Sequence, residues 1–302
     1  MDQTFVHLHA HSEYSLLDST LTIDKLVQRA KDFNQPAVAL TDHGNMFGAI
    51  EFYEKAKKEG IKPILGCEIY FTTGSRFDRP LNSSSSLVSS QDVQEIRHEI
   101  SHIILLCKNE IGYKNLCQII TKSYLEGMHY KPRADLELIR DFKEGLICLS
   151  ACIKGDAGQK FLIGDNEKAT EGLLKLHEIF GQDFYLELQD HGIPEEKKVN
   201  SKIIEFAKNK NISMVATNDI HYLRKEDALA QDILLCVQEK KTFKDEDRIK
   251  FKTQEYYFKS SQEMYSLFSE MPEVLENSLE ITKKCNLKLN WKDEKGNQVY
   301  HI

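Results

Sequence analysis

Long apolar runs are missing from this chain of 302 residues, and their absence limits where the protein can work. No stretch is both long and apolar enough to span a bilayer. The first residues, MDQTFVHLHAH, lack the basic segment followed by an apolar stretch that a secretory signal requires. The sequence therefore predicts a cytoplasmic protein with no membrane partner.

Cysteine pairs and an excess of positive charge are missing as well. The cysteines at 67, 107, 117, 148, 152, 236 and 285 form no CxxC motif and are odd in number, which argues against a secreted disulfide framework. A net charge of −7 at pH 7 argues against a basic clamp for nucleic acid. Any contact with DNA would have to be local or made through bound metal.

Apolar, β-rich runs alternate with helix-patterned segments along most of the chain. We predict strands at 5–10, 36–41, 63–71, 102–107, 145–151, 184–188 and 213–217. We predict helices at 23–33, 46–58, 112–125, 168–180, 195–209 and 225–237. The alternation indicates an α/β protein with parallel strands and helical crossovers, in either an open doubly wound sheet or a closed barrel.

Two regions depart from this alternation. Residues 81–92 include a serine run without periodicity, and we expect a mobile loop there. After about residue 240 the alternation weakens, and helical patterns at 261–268 and 273–285 lead to a polar end. We therefore predict one β/α domain over 1–240 and a helical extension over 241–302.

Three short phrases carry the chemistry: HLHAH at 7–11, TDHGN at 41–45 and TNDIHY at 217–222. Each places His at the end of a strand-like run, and the second and third also place Asp there. Because side chains alternate along an extended chain, His7, His9 and His11 should project to the same side. Three imidazoles on one strand face are too hydrophilic for an ordinary core, so the pattern indicates a metal site.

Further candidates follow other predicted strands, at the ends where ligands bind in α/β proteins. Asp18 lies shortly after the first strand, and Glu68 lies late in the third, where a buried carboxylate is costly unless it is paired or metal-bound. Cys152 follows the fifth strand, although a lone Cys there is more often part of the core. His102 fits poorly, since it begins its predicted strand, which implies a misplaced strand or a distorted barrel.

The charges of this set favour several ions. Three carboxylates and one thiolate carry four negative charges among five imidazoles, so the empty set would repel itself. Two divalent ions would neutralise it, and three would leave about two positive charges, which would attract phosphate. Imidazole with one thiolate suits zinc, while the carboxylates also suit manganese or iron.

Several longer phrases extend these motifs: HLHAHSEYSLLD, PAVALTDHGNMFGAIEFY, GIKPILGCEIY, MVATNDIHY, SRFDR, KPRAD and DHGIPEEKKVN. Together they closely resemble the polymerase-and-histidinol-phosphatase (PHP) domain found at the N-terminus of bacterial DNA polymerase III alpha subunits. The resemblance covers nearly the whole chain. It implies a distorted seven-stranded β/α barrel with up to three divalent ions, zinc and/or manganese. It also implies nine metal ligands: His9, His11, Asp18, His43, Glu68, His102, Cys152, Asp219 and His221.

The chain departs from the family pattern at two positions. His7 stands where relatives often have an acid, and we expect it to support a ligand rather than bind metal. Ser19 replaces the glycine usual after the aspartate, which affects the local turn rather than the ligand.

The resemblance implies a metal-dependent phosphoesterase that removes nucleotides from the 3′ end of DNA. A metal-bound water would attack, with Asp219, His221 and His43 as its principal supports. Arg76, Arg79, Lys131 and Arg133 are the basic residues expected to meet the DNA backbone. The nucleotidyl-transfer acids of the family lie beyond the PHP domain, so the expected partners are the rest of the polymerase chain, a proofreading exonuclease and other replicase subunits.

Other interpretations stay open. The domain could be a catalytically silent, metal-stabilised scaffold that docks a separate exonuclease, or a free-standing small-molecule phosphatase. The four basic residues could simply be solvated or salt-bridged, and Glu187 could be catalytic, supporting or structural. We expect structural roles for the remaining histidines, which are His98, His129, His177, His191 and His301.

Overall fold

The computed structural model describes residues 4–79, 100–290 and 299. The loop predicted at 81–92 and much of the polar end lie outside these residues. The strands are β1 (Ala37–Leu40), β2 (Lys62–Phe71), β3 (Ser101–Cys107), β4 (Met128–His129), β5 (Lys131–Ala134), β6 (Leu146–Leu149), β7 (Phe184–Leu188) and β8 (Met214–Ala216).

The helices surround these strands. They are α1 (Ile23–Asp32), α2 (Ala49–Lys58), α3 (Glu110–Leu125), α4 (Leu136–Asp141), α5 (Asp156–Ile163), α6 (Asn166–Phe180), α7 (Pro194–Lys210), α8 (Ala228–Glu239), α9 (Ser261–Leu267) and α10 (Glu273–Lys284). Polar caps set several starts: the side chains of Thr22, Asn109 and Asp135 accept hydrogen bonds from the first turns of α1, α3 and α4. Within the described chain, no helix has the length and apolar character needed to cross a bilayer.

The strands form one curled, mixed sheet in the order β4-β5-β2-β3-β6-β7-β8, with β1 paired to β2. The pairs β1–β2, β6–β7 and β7–β8 are parallel, as predicted. Strand β3 is antiparallel to both β2 and β6, so the prediction of a wholly parallel sheet is wrong at this strand. The mixed sheet with helices around it confirms the predicted distorted barrel of the α/β class.

Residues 5–11 lie between the two edges of this sheet as an extended segment rather than the regular strand predicted at 5–10. On one side, the Ala39 amide donates to the His7 carbonyl at 2.8 Å. On the other, the His11 amide donates to the Ile220 carbonyl at 2.8 Å, and the Ile220 amide donates to the His9 carbonyl at 3.2 Å. These bonds draw β1 and the chain after β8 together.

The inner face of the sheet is apolar at one end and polar at the other. Along β2, Ile64 packs in a cluster of buried apolar side chains on this inner face, the inner apolar cluster. Glu68 follows on the same face. Because β3 runs antiparallel, its first residues lie beside the last residues of β2, and His102 pairs with Tyr70. The antiparallel strand therefore explains why a histidine at the start of a strand belongs with residues at the ends of others.

The described part of 241–302 packs against the barrel. The Ser278 hydroxyl accepts a hydrogen bond from the Val6 amide at 3.1 Å, and Ile281 of α10 packs in the inner apolar cluster. The Tyr256 carbonyl accepts from the His221 amide at 2.8 Å. This region thus closes the apolar end of the sheet and borders the polar end.

Candidate metal centre

Seven of the nine predicted ligands fall into groups whose ligand atoms lie within 4.8 Å of one another. The groups are His11, His43 and His221; His9, His11 and Asp219; and His43, Glu68 and His102. They share members, so they form one continuous cluster at the polar end of the sheet. Residues from opposite ends of the sequence meet here because residues 5–11 lie beside the segment that follows β8.

Glu68 lies at the middle of this cluster and is almost fully buried. Its Oε1 is 2.6 Å from Nδ1 of His102, and its Oε2 is 2.7 Å from Nδ1 of His43. The same Oε2 is 3.3 Å from Nε2 of His11 and 3.6 Å from Nε2 of His9. One carboxylate thus touches four imidazoles, an arrangement suited to bridging neighbouring ions.

Asp219 is a second carboxylate that contacts the imidazoles of His9 and His11. Its Oδ1 is 3.1 Å from Nε2 of His11 and 3.2 Å from Nε2 of His9. Its backbone has φ of 46°, in the left-handed region that Asp and Asn tolerate better than most residues. The Asp219 carbonyl lies 2.8 Å from Nδ1 of His221, and donation from that nitrogen leaves Nε2 as the metal-binding atom.

Asp18 completes the set of carboxylates. Its Oδ2 lies 2.8 Å from Nε2 of His43 and 3.3 Å from Nε2 of His221. Ser19 Oγ lies 2.9 Å from the carbonyl oxygens of both His11 and His221, so this hydroxyl ties two ligand-bearing segments together. The serine that replaces the family glycine therefore has a structural use in this chain.

Cys152 is the outlying member of the nine. It lines a small cavity together with His9, Glu68 and Asp219, but it belongs to none of the groups above. Its Sγ is 3.9 Å from Oδ1 of Asn200, and burial holds the pKa of the thiol well above its ordinary value. Its role as a ligand stays a prediction that rests on the family pattern.

Orphaned polar atoms show that the cluster fits divalent ions. Glu68 Oε2, His43 Nδ1 and His221 Nε2 are buried, and although Glu68 Oε2 lies 2.7 Å from His43 Nδ1 and His221 Nε2 lies 3.3 Å from Asp18 Oδ2, none of the three has a partner in hydrogen-bonding geometry within the described ranges. Leaving such atoms unpaired is costly unless another ligand completes them. Nitrogen and carboxylate donors at these separations are the kinds that zinc and manganese accept. The residues present therefore fit a metal centre.

The electrostatics favour ionised carboxylates. Burial acts to raise the pKa values of Asp18, Glu68 and Asp219, but the surrounding imidazoles outweigh it and hold each pKa well below its ordinary value. Burial also acts to lower the pKa of His43, yet Glu68 and Asp18 raise that pKa to about 10. A metal ion bound by His43 would displace the proton that this raised pKa favours.

Glu187 supports a ligand from behind. Its Oε1 lies 2.8 Å from Nδ1 of His9 and also accepts from Gln189 Nε2, at 3.1 Å, and from the Thr217 hydroxyl. A carboxylate in this position fixes the orientation of the ring and directs Nε2 towards the metal cluster. The structure thus gives Glu187 a positioning contact, one of the roles left open by the sequence.

The side chain of His7 does not project to the same side of the segment as those of His9 and His11. Its Nε2 lies 2.8 Å from the Lys259 carbonyl, its ring packs against Phe5 and Phe258, and burial lowers its pKa to about 3. The predictions that His7 projects with the other two histidines and supports a ligand are therefore wrong. The segment is not a regular strand, so its side chains do not alternate strictly.

The remaining histidines that the structure describes lie outside the ligand groups. His191 is buried, with Nδ1 2.6 Å from Glu196 Oε1 and Nε2 2.9 Å from the Asn218 carbonyl, so both ring nitrogens are occupied. His129 and His177 are also absent from the groups. His98 and His301 lie outside the described residues.

A groove of about 690 Å³ opens onto the cluster. Asp18, His43 and His102 lie in its lining, together with the rings of Phe47 and Tyr130, which are 66% and 50% exposed. Exposed apolar side chains that share one groove, unlike scattered single ones, mark candidate binding surfaces. The sequence analysis did not single out this rim, although the phrase HGNMF places Phe47 four residues after a ligand.

Two of the four basic residues predicted to meet DNA are buried. Arg76 pairs with Asp135 at 2.9 Å and with Glu126 at 2.7 Å. Arg133 is 2% exposed, and its guanidinium donates to the carbonyl oxygens of Arg76 and Asp78. Both guanidinium groups hold the fold together, which argues against a contact between them and DNA.

The other two basic residues are exposed but differ in location. Arg79 donates to the carbonyl oxygens of Arg76 and Glu126, each at 3.0 Å, and lines a separate cavity of about 1040 Å³ that contains none of the nine predicted ligands. Lys131 lines the groove, with its Nζ 4.9 Å from the centre of the Tyr70 ring. Of the four, Lys131 alone lies beside the candidate centre.

Comparison with known proteins gives matches along nearly the whole chain. The family model for the PHP domain matches residues 7–191. DNA polymerase III subunit alpha from Treponema pallidum is 47% identical over 95% of this chain, and that from Borreliella burgdorferi is 45% identical over 93%. The chain spans 24% of the length of each relative. A solved amidohydrolase from Chromobacterium violaceum, 14% identical, aligns over 72% of this chain and 88% of its own with a TM-score of 0.40, too low to support a detailed comparison.

Proposed function

The chain belongs to the PHP domain family, and we propose that it is the metal-dependent phosphoesterase part of a DNA polymerase III alpha subunit that removes nucleotides from DNA 3′ ends. The family match supports a phosphoesterase fold, and the relatives named above supply the polymerase context. In that context its partners are a DNA 3′ end, the rest of the polymerase chain, a proofreading exonuclease and other replicase subunits, in the bacterial cytoplasm.

The nine ligands of the family pattern would hold up to three divalent ions, zinc and/or manganese. Bound ions of this kind lower the pKa of a water and neutralise phosphate oxygens, so no protein nucleophile is needed. Asp219, His221 and His43 would be the principal supports of the metal-bound water. Their ligand atoms lie beside those of His9 and His11, so they link the two ends of the chain at the centre. Glu187 holds the His9 ring in place through Nδ1.

The groove is the observation that carries the proposal. A small-molecule phosphatase needs a pocket that closes around its substrate, whereas the groove formed by the described residues is open and bordered by the exposed rings of Phe47 and Tyr130. Stacking of a base on an aromatic ring contributes about 1–3 kcal/mol per base in single-strand binding proteins. Local contacts of this kind suit a chain whose net charge of −7 does not attract DNA as a whole.

The decisive experiment measures trimming of 3′-labelled single-stranded DNA in the presence of manganese. We expect Asp219→Asn to lower the rate at least about 100-fold, because it removes a charge and a ligand that would orient an ion at the centre. Asparagine has nearly the same volume and tolerates the left-handed backbone at this position, so folding should suffer less than activity. His43→Ala should have a similar effect.

Asp190→Asn is the matched control, since this carboxylate caps the Gly192 amide and lines none of the cavities described above. It should trim at the wild-type rate. Equal residual trimming by wild type, Asp219→Asn and His43→Ala would assign the activity to a contaminating nuclease. That result would favour the silent, metal-stabilised scaffold over the exonuclease.

A further inference from the structure

Lys154 lies where the small cavity beside the metal centre meets the groove. Its side chain lines the cavity together with Glu68 and Asp219, and it lines the groove together with Asp18 and His102. In the described part of the chain, no other residue lines both spaces. A group bound to the metal centre and extending into the groove would therefore pass this side chain.

The backbone around Lys154 is held firmly. The Gly155 amide donates to the Cys152 carbonyl at 3.0 Å, which makes Lys154 the third residue of a tight turn. A Cβ atom on Gly155 would lie 2.4 Å from the Ser150 carbonyl oxygen, so the turn leaves no room for a larger residue there. The Lys154 carbonyl accepts from the His102 amide at 3.0 Å, which ties the turn to a predicted ligand.

The ammonium group of Lys154 makes no direct polar contact with the described residues, although its charge acts at longer range on Asp18, Glu68 and Asp219. The side chain is exposed, and within residues 4–79 and 100–290 its Nζ makes no hydrogen bond and no ion pair. Its described contact is with the Phe251 ring, 5.7 Å from the ring centre. A lysine that served to neutralise Asp18 or Asp219 would be expected in direct contact with one of them.

We propose that Lys154 binds the substrate phosphate, by donating a hydrogen bond from Nζ to a non-bridging oxygen of the phosphodiester held at the metal centre. Lysine is a common phosphate binder because its compact charge can approach one oxygen from many directions. The position at the junction of cavity and groove would direct it to an oxygen on the groove side of the phosphate. The choice of a DNA phosphate as the ligand rests on the proposed function.

The test is the salt dependence of DNA binding, which needs no cleavage. The probe is a fluorescein-labelled oligodeoxythymidine with phosphorothioate linkages at its 3′ end, titrated with the full chain loaded with manganese. For Lys154→Met we expect about tenfold weaker binding, the loss of one charge-assisted hydrogen bond. The slope of log K against log salt concentration should fall by about 0.7, the release of one counterion from a single strand.

Two variants separate charge from side-chain shape. Lys154→Arg keeps the charge and should keep the wild-type slope. Lys208→Met removes an exposed charge from α7, away from both spaces, and should change neither affinity nor slope. Lys154→Gln, a second neutral substitution, should repeat the effect of Lys154→Met and guards against a folding defect in one variant.

Other outcomes overturn the assignment of Lys154, the exonuclease proposal or both. An unchanged slope in Lys154→Met, or an equal fall in Lys208→Met, would show that Lys154 meets no phosphate. Loss of bound manganese from Lys154→Met, measured by mass spectrometry, would place the effect on the centre itself. If wild type binds the probe but trims no DNA, the exonuclease proposal fails while the slope still decides the role of Lys154. No binding by wild type would overturn both.

Discussion

At the scale of single residues, two buried His–Glu pairs show why one histidine belongs to the metal centre and the other does not. His9 lies 2.8 Å from Glu187 and His191 lies 2.6 Å from Glu196, in each case through Nδ1. The difference is the second nitrogen. Nε2 of His191 meets the Asn218 carbonyl, whereas Nε2 of His9 faces Asp219 and the other ligands. Only His9 has a nitrogen available to a metal.

This contrast gives a prediction for Glu187→Gln. The amide cannot carry the charge that orients His9 and raises its basicity, so manganese or zinc affinity should fall by about 10–100-fold. Competition with a fluorescent chelator measures that affinity. Glu196→Gln is the matched control, because it changes a similar pair whose histidine has no free nitrogen, and it should lower stability without this loss of affinity. Equal losses in both variants would contradict a specific role for Glu187.

At the scale of elements, α10 closes the apolar end of the curled sheet. Ile281 is fully buried and packs in the inner cluster with Ile64 of β2 and Val215 of β8. The Ser278 hydroxyl accepts from the Val6 amide in the segment that carries His9. Although the sequence predicts 241–302 as an extension, we propose that the described part of this region folds together with the barrel.

Ile281→Ala tests this proposal. Removing a buried isoleucine at the end of the inner cluster should cost about 2–5 kcal/mol of the free energy of unfolding, measured by urea denaturation. Leu267→Ala in α9 serves as the control, since this side chain is 38% exposed and its loss should cost less than about 1 kcal/mol. A small cost for Ile281→Ala, or a separate unfolding transition, would indicate that 241–290 folds independently.

At the scale of the whole molecule, the candidate metal centre brings charged side chains together where residues 9–18 meet residues 219–221. The carboxylates of Asp18, Glu68 and Asp219 are buried and close together, among imidazoles that only partly balance them. Burying like charges is expensive without counter-ions. Bound ions would supply that balance and also join the segment at 9–18 to the segment at 219–221.

Chelation should therefore lower the melting temperature of the domain, and manganese or zinc should restore it. A ligand present at 100 times its dissociation constant stabilises the folded state by about 2.7 kcal/mol, a shift that scanning calorimetry readily detects. Calcium, which prefers all-oxygen sites, is the matched control and should restore much less. A melting curve indifferent to chelator and to added metal would count against a metal centre.

The sequence alone determines those features of this protein that depend on residues close together along the chain. Polar residues at the ends of β-rich runs, the alternation of strands and helices, and motifs such as HLHAH and TDHGN are readable because they depend on neighbours along the chain. These signals predict an α/β fold, as an open doubly wound sheet or a closed barrel, and a cluster of candidate ligands. The family resemblance adds the distorted barrel, and it changes Cys152 from a residue more often found in the core to an expected ligand.

The tertiary structure decides what depends on distant partners. The antiparallel direction of β3 brings His102 to the correct end, while the irregular segment at 5–11 turns His7 towards the Lys259 carbonyl. Burial removes Arg133 from the surface, and a turn places Lys154 at the mouth of the centre. Strand direction and burial follow from contacts between residues far apart in sequence, so no local pattern records them.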